Sequence, residues 1–312
     1  AQPVRVVVAY GAGGGSDSLM RAIAPELGEL LGQQIVIDNR PGAGTVLGTQ
    51  IVATAKPDGY TIMIADNAFM VNPFLMAKLP YDSVKDFALI TMVANSPLVF
   101  VANPSLGVTG IKELVAAAKA QPGRLTYASS GPGTGGHLAV ELLSWMAGIK
   151  FTHVPYKGAA PALIDVIGGQ IHSHFAVSLP AIPHLKSGKL RGLAVGMSKR
   201  VELFPDLPTV DEAGVKGYEA ANWYALAAPV GTPKPIITRL HGEAADIDGV
   251  GRAQPHAGEG TARGALGGQA GAVEHPLGGD AAAAERHGCG QAQPQGASQG
   301  FAALLDQQCA QA

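Results

Sequence analysis

The chain has 312 residues, enough for two domains that each bury a core, and 47% of it is hydrophobic while only 15% is charged. A formal net charge of -2 disfavours nucleic acid and anionic membranes as partners and leaves a small neutral or anionic ligand as the expected one. No apolar run reaches the ~18 residues of a membrane span. Both cysteines, Cys289 and Cys309, fall near the end, so the main body can build neither a disulfide framework nor a Cys-based zinc site.

The chain opens Ala1-Gln2-Pro3 and enters a strand at once, the pattern expected after removal of a signal peptide and hence of an exported protein. Val4 to Tyr10 reads as that strand, Gly11-Ala12-Gly13-Gly14-Gly15 as a glycine loop, and Ser16 as the N-cap of an amphipathic helix over Asp17 to Leu31. Gln34 to Asp38 is the next strand. Asn39-Arg40-Pro41-Gly42-Ala43-Gly44 is a second glycine loop, Gly48 to Ala55 a helix, and Tyr60 to Ala65 a third strand. The loop Asp66-Asn67-Ala68-Phe69-Met70-Val71-Asn72-Pro73 then leaves that strand at its carboxyl end, the edge where open α/β sheets bind ligands.

Leu89 to Val93 and Leu98 to Ala102 read as separate apolar segments, and Ile111 to Ala120 as a helix. The opening pattern then returns: strand Leu125 to Ser130, glycine loop Gly131-Pro132-Gly133-Thr134-Gly135-Gly136, helix His137 to Ala147. A helix over Ala160 to Ile167 and strands over Ile171 to Val177 and Leu193 to Met197 follow. Strands alternating with helices specify a mostly parallel sheet covered on both faces. From about Gly249 the character changes. Residues 251–312 are almost half Gly or Ala and contain no Lys, Ile, Tyr, Trp, Met or Asn, too few large apolar side chains for a core and a composition that fits a shifted reading frame of a GC-rich gene.

Two glycine loops, each between a strand end and a helix start, are two places where unpaired backbone N–H groups and a helix dipole favour an anion. Residues 131–136 match G-x-G-x-x-G, but the acidic residue expected ~20 positions later is missing, so a dinucleotide site fails on context. There is no phosphate loop of the G-x-x-x-x-G-K-[ST] kind, no G-x-S-x-G elbow and no H-E-x-x-H. His172 and His174 share a strand face without a third metal ligand. Ser129, Ser130, His137 and Asp165 supply the residue types of a triad with no elbow to hold the serine. An α/β hydrolase or a dinucleotide-dependent enzyme is therefore the weaker alternative, and no cofactor is expected.

Tyr10-Gly11-Ala12-Gly13-Gly14-Gly15-Ser16-Asp17, Asn39-Arg40-Pro41-Gly42-Ala43-Gly44, Tyr127-Ala128-Ser129-Ser130-Gly131-Pro132-Gly133-Thr134 and His153-Val154-Pro155-Tyr156-Lys157-Gly158 occur in that order. With Phe204-Pro205-Asp206-Leu207-Pro208-Thr209 and Ala228-Pro229-Val230-Gly231-Thr232-Pro233, they resemble the periplasmic receptors of tripartite tricarboxylate transporters, the Bug receptors, from the first residue to about Leu240. The resemblance implies an α/β periplasmic binding protein of the Venus-flytrap kind: two lobes, each a mixed, mostly parallel sheet flanked by helices, joined by two crossing strands near Val93 to Ala102 and Tyr218 to Ala228. Lobe 1 would take residues 1–98 and 223–312, lobe 2 residues 99–222. A monomeric, periplasmic receptor is implied that captures a small carboxylate, with aspartate as first choice or else another acidic amino acid or a di- or tricarboxylate. It would hand that ligand to membrane transporter subunits and carry out no catalysis. One carboxylate is expected near Tyr10, Gly13, Gly14 and Gly15, the other near Ser129, Gly131, Thr134 and Gly135. Asn67 and Phe69 would wall the cleft, Tyr156 and Ser178 would close it, and Asp17 or Asp165 would accept a ligand ammonium. Residues 11–16 and 129–136 contain no Lys or Arg, so backbone N–H groups, helix N-termini and hydroxyls would neutralise the ligand.

Overall fold

The structure, a computed structural model, describes residues 2–247. The readings placed on Ala1 and on the Gly/Ala-rich segment, including the shifted frame and its place in lobe 1, lie outside the described residues. Strands and helices alternate: β1 (Val4–Val8), α1 (Gly15–Leu31), β2 (Ile35–Asn39), α2 (Val46–Ala53), β3 (Thr61–Ala65), α3 (Asn67–Leu75) and the long β4 (Phe87–Ala102). Then come α4 (Ile111–Ala120), β5 (Thr126–Ser129), α5 (Gly135–Ala147), β6 (Thr152–Pro155), α6 (Ala159–Ile167), β7 (Ser173–Val177), α7 (Ser178–Lys186), β8 (Arg191–Val195), β9 (Ala221–Pro229) and α8 (Lys234–Asp246).

In the first lobe β2, β1 and β3 pair in parallel, and β9 then β4 continue the sheet antiparallel. In the second, β6, β5 and β7 are parallel and β4 lies antiparallel between β7 and β8. β4 thus serves both sheets. It pairs with β9 from Phe87 to Pro97 and with β7 and β8 from Leu98 onward. Pro97 has no N–H for a ladder and marks the point where the partner changes. That is why the sequence reads as two segments where the chain forms one strand, with further register shifts between Leu89 and Thr91 and between Met92 and Ala94.

Period-two alternation divides the side chains between the two faces of each sheet. Val4, Val6 and Val8 pack with Ile62 and Ile64 under α1 and α8, while Val7, Met63 and Ala65 pack under α2 and α3. On β4, Leu98, Phe100 and Ala102 face α4 and α5, whereas Val99 and Val101 face α6 and α7. Helix α1 contributes Met20, Ile23, Leu27 and Leu31, one stripe at three- and four-residue spacing, each worth about 1.5–3 kcal/mol when fully buried. It ends at Gly32, whose left-handed φ of 63° lets its N–H reach Glu29 O and lets Gln33 N–H reach Gly28 O.

Two local readings are corrected. Ser16 is not the cap of α1: Gly14 holds that place, makes no side-chain bond, and leaves the helix start unblocked. Residues 67–75 form a helix rather than a loop, because the Asp66 carboxylate accepts the Ala68 N–H at 3.1 Å and caps it.

Candidate functional site

The two lobes meet at a small cavity. Tyr10, Gly14, Gly15, Ser16 and Asp66 come to it from the first sheet's loops, and Ser130, Thr134, Gly135, Gly136, Ala159, Phe175 and Val177 from the second. Asn222 and Tyr224 reach it from β9. A larger adjoining space shares Tyr10, Ser130 and Thr134 and adds Gly131, Tyr156 and the 41–45 loop. The lobes are closed on one another here. Gly11 approaches the Lys157 carbonyl, Gly13 the Ala160 methyl, and a Cβ on Gly15 would lie 2.8 Å from Val177 Cγ2.

Three helices point their N-termini into this cleft, α1 at Gly15, α5 at Gly135 and α6 at Ala159. The first N–H groups of a helix have no intrahelical acceptor and carry the positive end of its dipole. The first helical bonds of α1 and α5 run from Ser18 N–H to Gly14 O and from Leu138 N–H to Thr134 O, so Gly15 to Asp17 and Gly135 to His137 precede them. No Lys or Arg lines the smaller cavity. The main-chain donors here suit an anion, with glycine where a side chain would fill the space: a Cβ on Gly135 would collide with the Asn222 amide, and one on Gly15 with the Tyr224 hydroxyl.

The residues expected at the site are partly brought together. Tyr10, Gly14, Gly15, Thr134 and Gly135 line the cavity, and Gly131 and Tyr156 line the adjoining space. Gly13 turns the loop at a φ of +81° and donates its N–H to Asp17 Oδ2 at 2.9 Å. Asp17 is thereby an internal strut. Burial opposes its charge, but bonds from Arg21 and Gly13 outweigh that and hold its carboxyl below the usual range. Asp165 accepts the Tyr156 hydroxyl at 2.5 Å, and burial together with that carboxylate pushes the phenol up to about 12.

Asn67 fastens α3 to β9, donating to the Ala221 carbonyl at 3.3 Å and accepting the Trp223 N–H at 3.2 Å. Phe69 does not wall the cleft. It is 2% exposed and packs edge-on against Phe87 in the core, because α3 turns it inward. Ser178 sits beside the cavity-lining Val177 and shares a hydrogen bond with Ser96 at 3.2 Å.

Ser129 lies behind the second loop and shapes it. Its hydroxyl and that of Thr134 both reach the Gly131 carbonyl, at 3.2 and 2.7 Å. Ser129 also pairs with His153 Nε2 at 2.6 Å, but it is fully buried. Neither residue lines the cavity, and no catalytic serine arises from the pair. His137, the other paper partner, accepts the Gly133 N–H at 3.1 Å and stacks on His153, and burial holds both imidazoles down at about 4. His172 and His174 are engaged with Thr126 and the Ala128 carbonyl, and no cluster of three metal-ligating side chains exists among the described residues.

Beyond the two glycine loops, three polar cavity side chains escaped the sequence reading. Asn222 and Tyr224 sit on β9, whose pairing is long-range and leaves no local mark. Asp66 is the third. It is 7% exposed at the carboxyl end of β3, and burial raises its carboxyl to about 6 although Ala68 N–H and Tyr10 favour its charged form. The Tyr10 hydroxyl is close enough to couple with it, yet makes no hydrogen bond of ordinary geometry. The position of Asp66 at a ligand-binding strand edge was the available signal.

The family model described as tripartite tricarboxylate transporter family receptor, TctC, matches residues 19–247. Protein BugT of Bordetella pertussis is 36% identical over 243 residues, covering 77% of this chain and 74% of that protein. Among solved structures, R. palustris Rpa4515 with adipate is 38% identical at a TM-score of 0.77, over 78% of this chain and 82% of its own. The periplasmic binding protein BugD is 35% identical at 0.75, over 78% and 81%. MatC of Rhodopseudomonas palustris with bound malate is 31% identical at 0.74, over 78% and 84%. With the two-lobed fold and the cleft already described, these matches show that the chain belongs to the receptor family of the tripartite tricarboxylate transporters, a family of solute-binding proteins rather than enzymes.

Proposed function

We propose that this receptor is periplasmic, works as a monomer, captures an acidic amino acid such as aspartate or a di- or tricarboxylate, and delivers it to membrane transporter subunits. The observation that carries the reading is the convergence of the α1, α5 and α6 N-termini, from both lobes, on one cavity without a lining cation. Solved relatives with adipate and malate support the carboxylate class. The BugD description supports the compartment. No helix among the described residues is long and apolar enough to cross a membrane.

One ligand carboxylate would sit at the loop of Gly13, Gly14 and Gly15, the other at the loop shaped by Ser129, Gly131 and Thr134 and opening at Gly135. Tyr10 and Asn67 would frame the cleft, and Tyr156 and Ser178 would complete its second wall. The lobes would divide near residues 98 and 222, with β4 and β9 as the crossings. Because the ligand touches both lobes, it stabilises the closed form.

Titration calorimetry with aspartate, glutamate, malate, succinate and citrate, alongside X-ray scattering, tests this. Saturable binding with a smaller radius of gyration is expected. A protein that binds none of them, or that retains a nucleotide or sugar in native mass spectrometry, overturns the reading.

A further inference from the structure

We propose that Asp66 is the acceptor for an ammonium group on the ligand, and that it makes this receptor select an amino-substituted dicarboxylic acid over the plain acid of the same length. The inference rests on the carboxylate-receptor reading and adds the group that discriminates within it. Every main-chain group that the helix N-termini turn into the cavity is a donor, suited to a carboxylate. Asp66 has the opposite character. It is a buried acid on the cavity wall, and no Lys or Arg lines that wall to neutralise it. One of its oxygens is engaged by the Ala68 N–H, while its surroundings in the cleft include Tyr10 and Tyr224. The Tyr10 hydroxyl, buried beside that carboxylate, makes no hydrogen bond of ordinary geometry. An ammonium has three donors and no acceptor, and a carboxylate flanked by phenol oxygens matches it.

Charge decides between the alternatives. Between loops of two lobes that close on one another, the ligand's carbon chain cannot keep far from Asp66, which lines the same cavity. A plain dianion would bring more negative charge against a buried carboxylate and force it to take up a proton, whereas an ammonium lets it stay ionised. The other acids weighed from sequence are committed elsewhere, Asp17 to Arg21 and Gly13, Asp165 to Tyr156. The titratable groups facing Asp66 are Tyr10 from the β1–α1 loop and Tyr224 from β9, with Tyr81 behind Tyr10. Burial raises the Tyr10 and Tyr224 phenols above their ordinary value, so around neutrality the charge that changes in the cleft is that of Asp66.

The test is titration calorimetry of the full chain with L-aspartate and succinate, for the natural protein and Asp66→Asn. The natural protein is expected to prefer aspartate by about tenfold or more. Asp66→Asn keeps the cap acceptor and should lose about tenfold or more for aspartate, with succinate unchanged or tighter. At pH 6, comparison of buffers with different ionisation enthalpies should show the natural protein releasing about half a proton per aspartate bound. Succinate should cause uptake. A natural protein that favours succinate, an aspartate-to-succinate ratio unchanged in Asp66→Asn, or no proton release with aspartate overturns the assignment. Should Asp66→Asn fail to fold, the ligand preference and proton count of the natural protein decide. If it binds neither acid nor any other dicarboxylate, the receptor reading itself falls, a result distinct from binding with an unchanged ratio.

Discussion

Replacing Gly15 by alanine adds one methyl group where the lobes touch. The new Cβ would lie 2.8 Å from Val177 Cγ2, about 0.7 Å inside ordinary carbon contact, and would also collide with the Tyr224 hydroxyl. Gly15 has ordinary helical backbone geometry, so alanine brings no φ penalty and a small gain in helix propensity. The overlap with Val177 exists only when the second lobe is closed on α1. An overpacked contact costs about 1–3 kcal/mol, and if that falls on the closed form alone, ligand affinity drops about 5- to 150-fold. Opening removes the Val177 overlap but not that with the Tyr224 hydroxyl, the far end of a side chain on β9 in the same lobe, so the ligand-free protein should melt less than about 3 °C below the natural one. Gly136→Ala is the contrast. Its Cβ would strike the Phe175 carbonyl, backbone of the same lobe that opening cannot move, so its melting temperature should fall by at least about 3 °C without ligand. Calorimetry, scattering and thermal melts on the three proteins provide the check. Natural affinity and natural compaction in Gly15→Ala would refute the claim that the closed arrangement is the liganded one.

Thr134→Ala removes the hydroxyl that holds the Gly131 carbonyl at 2.7 Å and should weaken carboxylate binding about 2- to 10-fold, while Thr134→Ser restores it; equal affinities in all three by calorimetry would remove Thr134 from the site. Asn67→Ala leaves the Ala221 carbonyl and Trp223 N–H without their partner and should cost about 1–3 kcal/mol in denaturant melts. Stability should also fall with acid. His174 is fully buried and held at about 4, against about 6.5 unfolded, so the unfolded chain binds the extra proton between those values. The loss grows as pH drops from 6.5 to 4, reaching on the order of 2 kcal/mol at pH 5 from this residue, and saturates below. His137 adds in the same sense. Asp66, raised to about 6, acts oppositely: its burial penalty is present above pH 6 and relieved toward 4, so Asp66→Asn should steepen the acid loss in a pH series of thermal melts.

The βα units were legible because their signals are local. Val4 to Val8 is a β-branched run ended by glycines, and α4 ends at the residues read from its apolar spacing, Ile111 and Ala120. The glycine loops were legible as anion sites for the same reason. What escaped depends on distant partners. β9, defined by pairing with β3 and β4, was placed only through the resemblance, as the crossing strand near Tyr218 to Ala228, and β6, defined by pairing with β5, does not alternate clearly enough to be seen alone. Phe69 was misplaced because reading α3 as a loop removed the helical turn that carries its ring inward. Asp17 drew attention as the acid nearest the first loop, but i, i+4 spacing hands it to Arg21, while Asp66 has no local mark beyond its place at the carboxyl end of β3 and is assigned by what surrounds it in the cavity.

A binding surface made of main chain has an evolutionary consequence. The N–H groups at Gly15, Gly135 and Ala159 stay in place whatever the genetic code supplies elsewhere, provided the helices start where they do and small residues guard their ends. Substitution therefore cannot easily erase the ability to hold a carboxylate, nor tune it finely. Preference must instead be written in the few side chains that share the cavity, Tyr10, Asp66, Asn222 and Tyr224 among them. A lineage built on such a frame can trade one acid for another by exchanging a residue or two, leaving the grip itself untouched.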